Sequence, residues 1–298
     1  MNAFLIMSTT KYWIKKMHEE KIIAYNAYTD LPFILRILRR FHLHYKLPFY
    51  SIWFSSWKSQ INKYSTIILF ANKMNIPILY WLRNKYPQTR IIFWYWNPII
   101  DSVNPIQIPD GICEKWSFDL QDCKTYHLNY NTTFYLKSFV HQYKRNVKAE
   151  FDVFFVGEDK GRLSYLNSLE IKMNKLGITT YFHIVYKGYG YRKTFDYKEN
   201  ISYGIVLDYI NKSKAILEVL QNGQSGLTLR AMESLFFERK LITNNSLIKT
   251  CDFYNPSNIF ILDEDDIALL PEFISTTYIP LDLSVVEQYS IQNWLSRF

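Results

Sequence analysis

The residues best placed to do chemistry lie in 215–245, AILEVLQNGQSGLTLRAMESLFFERKLITNN. A short apolar run leads into a polar loop with two glycines, and a helical pattern then opens with Thr228, Arg230 and Glu233. Gly226 lets backbone come close to an anion. Thr228 can cap the helix or contact phosphate. The N–H groups that a helix start leaves unbonded favour negative charge there. Arg230 can form a bidentate clamp on a diphosphate. Glu233, one turn into the helix, can accept hydrogen bonds from a ribose or sugar hydroxyl. The binding residues of such a site are Gln224, Ser225, Gly226, Leu227, Thr228, Arg230 and Glu233. An ordinary βα loop with an exposed Arg and Glu has the same composition.

Other constellations are weaker. Cys113, Cys123 and Cys251 are too few for a disulfide framework and lack CxxC spacing for zinc. Of the six histidines only His42 and His44 are close in sequence, and at i,i+2 they diverge on a helix. Asp263, Glu264 and Asp265 are hard oxygen ligands of the kind Mg²⁺ or Mn²⁺ takes. Asp265 and Asp266, however, directly precede IALLPEFI and suit a helix N-terminus, so no metal is expected.

The elements that must position these residues follow from short apolar runs alternating with helical patterns, which argue βα units and parallel sheets. Strands are predicted at 3–7, 22–25, 67–70, 91–96 and near 125–128, with a helix at 76–85 closing before Pro87. A helix is predicted at 31–44, with Thr29-Asp30 as its cap and Pro32 in its first turn. The polar stretch 144–150 reads as a linker. Beyond it come strands at 151–156, 178–185, 215–220, 241–243 and 259–262. Helices fall at 163–176, ended by Gly177, at 205–211 and at 229–239, with loops at 187–200 and 221–228. This is the order of a doubly wound domain, in which ligands bind outside the carboxyl ends of the strands.

The stretch running from Gly226 through Leu227, Thr228, Leu229, Arg230 and Glu233 to Phe237, Lys240, Leu241, Ile242 and Thr243 resembles the nucleotide-sugar-binding segment of GT-B glycosyltransferases, particularly those of bacterial capsule, O-antigen and lipopolysaccharide synthesis. The resemblance extends in outline over 151–270. It implies an α/β, GT-B-like chain with two Rossmann-like doubly wound domains facing a cleft. Residues 1–145 would bind the acceptor and 150–275 the nucleotide sugar, with 276–298 packing back on the N-terminal domain. In the family the Glu holds the ribose and the loop backbone the diphosphate, which here are Glu233 and 225–230. FDVFFVG at 151–157 looks like the strand that opens the donor domain, so Gly157 would sit at the cleft. Lys160 and Arg162 follow, either touching phosphate or as solvated loop charges. The retaining members carry two acids eight residues apart, whereas the residue eight before Glu233 is Ser225. The reaction implied moves a hexose from a nucleoside diphosphate sugar, a co-substrate and not a cofactor, to a growing, lipid-linked glycan without metal. A single displacement needs one general base; Asp101, just past the 91–96 strand, is the first choice and Asp30 the second.

Charge separates the two halves. Residues 1–100 hold 14 Lys and Arg against three acids, net +11, while the remaining 198 hold 21 against 24, net −3. An anionic partner for the N-terminal domain follows. Nucleic acid, anionic lipid and a lipid diphosphate all fit, as does a basic solvated surface. No nucleic-acid-binding signature is present, so nucleic acid is not expected as a partner; a nucleic-acid-binding protein and a non-catalytic relative of the fold stand as the alternatives. No G-x-G-x-x-G occurs, which counts against an NAD-type oxidoreductase. Arg36, Arg39 and Arg40, followed by Trp53, Phe54 and Trp57, have the composition of an interfacial membrane contact, or of a core helix with one exposed Arg face. With no apolar run long enough to span a bilayer and no signal-peptide pattern, the expectation is a cytoplasmic protein, peripheral on the inner face of the plasma membrane.

Overall fold

The computed structural model describes residues 3–143, 147–186, 196–221 and 223–298. The chain divides into two compact units, Met1–Ser138 with Gln292–Phe298, and Phe139–Ile291. The division falls at Ser138/Phe139, ahead of the polar 144–150 stretch, whose first three residues lie outside the described ones. Of the terminal segment 276–298, only 292–298 belongs to the first unit.

Unit 1 is a six-stranded, wholly parallel sheet: β1 (Ala3–Met7), β2 (Ala24–Asn26), β3 (Thr66–Phe70), β4 (Arg90–Tyr95), β5 (Glu114–Ser117) and β6 (Asn129–Tyr130), in the order β2-β1-β3-β4-β5-β6. Helices α1 (Lys11–Glu19), α2 (Phe33–His44), α3 (Ile76–Lys85) and α4 (Leu120–Tyr126) connect them. A parallel strand covered on both faces must be apolar throughout. IILF of β3 and IIFWY of β4 meet that demand, each residue 4% exposed or less. The strand predicted near 125–128 is instead the end of α4, closed by His127 in the left-handed region at φ +53°. The pairing strand is β6, just beyond. Nor does Asp30 cap α2: the residue before its first turn is Pro32, with no side-chain cap.

Unit 2 is a five-stranded parallel sheet: β7 (Phe151–Glu158), β8 (Thr180–Val185), β9 (Ser213–Glu218), β10 (Lys240–Thr243) and β11 (Ile259–Ile261), in the order β11-β10-β9-β7-β8. Its helices are α5 (Leu163–Lys175), α6 (Tyr203–Asn211), α7 (Leu229–Phe237), α8 (Leu270–Ser275) and α9 (Leu283–Glu287). A last helix, α10 (Ile291–Ser296), carries the chain back into unit 1. There Trp294, fully buried, sets its ring 5.1 Å from Trp94 and 4.5 Å from Phe134.

Both sheets are doubly wound. The first strand of each has its second strand on one side and its third on the other, which opens a crevice at the carboxyl ends between first and third. In unit 1 that point lies between β1 and β3, in unit 2 between β7 and β9. Two Rossmann-like units are what a GT-B-like chain requires.

Candidate functional site

In unit 2 the crevice between β7 and β9 is bridged by Arg162. Its guanidinium donates to the backbone carbonyls of Glu158 (2.7 Å), at the end of β7, and of Val219, just past β9. It also donates to the Asp159 carbonyl at 3.3 Å and lies 5.9 Å from the centre of the Phe155 ring. Burial lowers its pKa, with Asp159 and Glu158 opposing. The side chain expected to touch phosphate or sit in solvent thus ties the two strand ends together. Gly157 lies against it: a Cβ there would stand 3.4 Å from the Phe155 ring and 3.7 Å from the guanidinium, ordinary contact distances. Lys160 is exposed in the turn after β7, at φ +43°, next to Gly161 at φ +80°.

The loop after β9 carries Gln224, Ser225, Gly226 and Leu227 and ends at Thr228, which caps α7: its Oγ1 accepts the Arg230 N–H at 2.9 Å. Gly226 is buried and its neighbours half-buried. Asn244 holds the start of the loop, its side-chain oxygen accepting the Leu220 N–H at 2.7 Å. Below the cap is Glu218, 2% exposed, which accepts hydroxyl protons from Thr228 and, at 2.5 Å, from Thr243 of β10. One carboxylate therefore joins the end of β9, the cap of α7 and the end of β10. Its burial raises its pKa, opposed by the two threonine hydroxyls and Arg230.

One turn along α7 is Glu233, fully buried. Tyr203, at the start of α6, donates its hydroxyl proton to Oε1 at 2.8 Å. Arg230 stands in ion-pair contact with Oε2, its side chain 19% exposed. Neither that Oε2 nor Arg230 Nη1 has an aligned hydrogen-bond partner. Desolvation pushes the Glu233 carboxyl up to about 7, against the pull of Arg230 and Tyr203 and with the help of Glu218. Two buried carboxyls thus share one guanidinium beside a helix N-terminus, at the strand ends where a doubly wound sheet binds its ligand. Groups so perturbed are concentrated at functional sites.

Sequence reasoning missed Glu218 and Tyr203. A signal existed for Glu218, since a charge inside AILEVL is out of place in a strand covered on both faces. None existed for Tyr203, which reaches Glu233 only through the packing of α6 beside α7.

In unit 1 an open pocket of about 640 Å³ lies at the carboxyl ends of β1 and β2. Thr9, Lys11, Asn26, Asp30, Arg36 and Arg39 are among its walls. Thr10 stands at the start of α1 without a side-chain cap there. Asp30 pairs with Lys11 at 2.8 Å, both well exposed. The Lys11 ammonium, by hydrogen bond and charge, holds the Asp30 carboxyl below the usual carboxylate range. Asp101, the other candidate base, ends a single 3₁₀ turn (Ile99–Asp101) past β4; it is exposed and does not line this pocket. Three of the four acids at 263–266 serve local structure. Asp265 accepts the Ile261 N–H at 2.7 Å, Asp266 caps the turn at Ile267–Leu269, and Glu264 pairs with Lys249. Among the described residues no three His, Cys, Asp or Glu are grouped to hold a metal.

No family model matches the chain, and no curated protein matches it. Among solved structures, sucrose-phosphate synthase from Thermosynechococcus elongatus is similar, at 13% identity and a TM-score of 0.45, over 90% of this chain and 80% of that one.

Proposed function

We propose that the chain is a GT-B-type glycosyltransferase that takes a sugar from a nucleoside diphosphate donor held by unit 2. The observation that carries this is the buried Arg230–Glu233 pair beside the Thr228-capped start of α7, at the strand ends next to the β7/β9 crevice. A helix N-terminus and a guanidinium whose side chain keeps 19% of its surface in solvent suit a diphosphate. As the bond from the sugar's anomeric carbon to the diphosphate oxygen breaks, the electron pair stays on that oxygen. The 225–230 backbone, the helix dipole and Arg230 stabilise the charge that develops, without a metal in this reading. Glu233, held by Tyr203, is the acceptor for a ribose hydroxyl once Arg230 turns to phosphate.

The acceptor is read into the unit 1 pocket. Lys11, Arg36 and Arg39 give it a cationic wall, and threonine and asparagine side chains suit a sugar, so it fits an anionic, lipid-diphosphate-linked glycan. Of the two proposed bases only Asp30 lines this pocket, while its depressed pKa makes it a weak base. The wider assignment is synthesis of a cell-surface polysaccharide, with the protein peripheral on a membrane. The test is a thermal-shift screen with UDP, GDP, ADP, CMP and dTDP, followed by transfer assays with and without EDTA. One nucleotide should raise the midpoint, and transfer should survive chelation. No response to any nucleotide would remove the donor site, and loss in EDTA restored by Mn²⁺ would remove the metal-free mechanism.

A further inference from the structure

Helix α2 is built in the reverse of a globular-protein helix. Of its twelve residues only Leu43 is buried. Phe33 (68% exposed), Ile34 (71%), Ile37, Leu38 and Phe41 all stand in solvent. At 100° per residue these fall on one continuous stripe, and Leu43 and Arg39 fall on the opposite side. Arg39 is the inward anchor: its guanidinium lies 4.7 Å over the Tyr28 ring and donates to the Thr29 carbonyl at 3.1 Å. Arg36 and Arg40, both exposed, lie along one edge of the stripe. The stripe does not end with the helix. His42 accepts the Trp53 indole N–H at 3.0 Å and contacts the Pro48 carbonyl at 2.9 Å, which holds the 47–53 loop beside α2. That loop presents Phe49, 82% exposed, and Ile52, 61% exposed. Phe49 has φ +61°, a left-handed conformation uncommon for a bulky side chain. Along the Arg40 edge, away from that loop, Arg40, His44 and Lys73 line an open groove together with Ile37, Phe41 and Met74.

A face of this kind is an exception among soluble surfaces, where large contiguous apolar patches mark an interaction site. Its basic edge decides the partner. From this geometry we infer that α2 and the 47–53 loop dock in the plane of an anionic lipid bilayer. Phe33, Ile34, Ile37, Leu38, Phe41 and Phe49 enter the headgroup–acyl boundary, and Arg36, Arg40 and Lys46 meet lipid phosphates. The N-terminal hundred residues, net +11, add long-range attraction to the same surface. This deepens the reading above, since Arg36 also lines the proposed acceptor pocket, and a lipid-linked acceptor would arrive at the face that touches the membrane. Trp53, Phe54 and Trp57, which the sequence offers as the interfacial rings, are not the anchors. Phe54 and Trp57 are in the core, and the Trp53 indole is taken by His42. Among the described residues no helix is long and apolar enough to cross a membrane, so docking is in the plane.

The experiment is co-sedimentation with phosphatidylcholine vesicles, with and without phosphatidylglycerol, at low and high salt. Wild-type protein should bind only the anionic vesicles and come off as salt rises. Ile34→Ser with Phe41→Ser should lower partitioning by about tenfold or more, given the apolar area lost. Arg40→Gln with Lys46→Gln should lower it by about fivefold per charge. Both variants should keep their circular dichroism and their nucleotide response in unit 2, so failure to dock and failure of the donor site read out separately. Indifference to anionic vesicles at low salt would overturn the proposal, as would equal binding to neutral ones. A wild-type dimer that Ile34→Ser with Phe41→Ser converts to monomer, without vesicle binding, would assign the face to a second copy of the chain instead.

Discussion

The two sheets share a winding scheme and treat charge in opposite ways at their carboxyl ends. In unit 2, Glu218 and Glu233 are sealed from solvent, and the Arg230 they share is largely buried. In unit 1, Lys11 and Asp30 are solvent-exposed around an open pocket. A charge withdrawn from water acts strongly on whatever binds beside it and must be matched in the unliganded protein. A charge left in water is screened, and acts mainly on encounter and orientation. Under the proposed function, the contrast suits a small, defined donor in one unit and a large, variable acceptor in the other.

The largest expected effect tests the buried side. Arg230→Ala leaves Glu233 without its counter-charge. The loss, read by urea denaturation, should be slight below pH 7, where the carboxyl holds a proton, and reach about 3 kcal/mol at pH ~9, where it must ionise or be protonated at a cost. Adding Glu233→Gln should return most of that stability while nucleotide binding stays lost. If the double variant binds nucleotide as wild type does, Arg230 serves only to neutralise Glu233, and the donor assignment fails.

A pH series sharpens the same point. Glu233 has a folded pKa of about 7 against an ordinary value of 4.5, so the folded state holds a proton that the unfolded state releases between those values. Stability contributed by this group is therefore fully present below about 4.5 and declines as pH rises to about 7, by up to about 3 kcal/mol. Glu218, also raised, acts in the same sense. Glu233→Gln should flatten the pH dependence of the melting midpoint across that window. A profile with unchanged slope would show that Glu233 is not the buried acid described.

The smallest effect belongs to unit 1. Asp30→Asn should leave the melting midpoint unmoved, since the pair it breaks is solvated. If Asp30 is the base, kcat falls with little change in donor KM. If only acceptor KM changes, the residue positions Lys11 and the base lies elsewhere.

What the sequence makes legible depends on how local the cause is. Strands β3, β4, β7 and β9 can be read because burial on both faces leaves a continuous apolar run. The approach of Arg230 to Glu233 follows from three residues of helix. β5, with the sequence EKWS, carries no such run and gives no strand signal, and the Tyr-His-Leu that looks like a strand is a helix end. Two features need tertiary packing and leave no trace in spacing. One is the reach of Tyr203 into Glu233. The other is the sorting of the rings after α2, which sends Phe54 and Trp57 inward and turns Phe49 out.

The return of residues 292–298 to unit 1 bears on how the molecule is made. On a ribosome, every strand of the first sheet emerges before unit 2 begins, yet the Trp294 ring that covers Trp94 and Phe134 arrives only after unit 2 is complete. At bacterial-to-eukaryotic elongation speeds that wait is roughly ten to thirty seconds. During it the Trp94 and Phe134 rings lack their Trp294 neighbour, leaving an apolar surface that a chaperone can hold until α10 emerges.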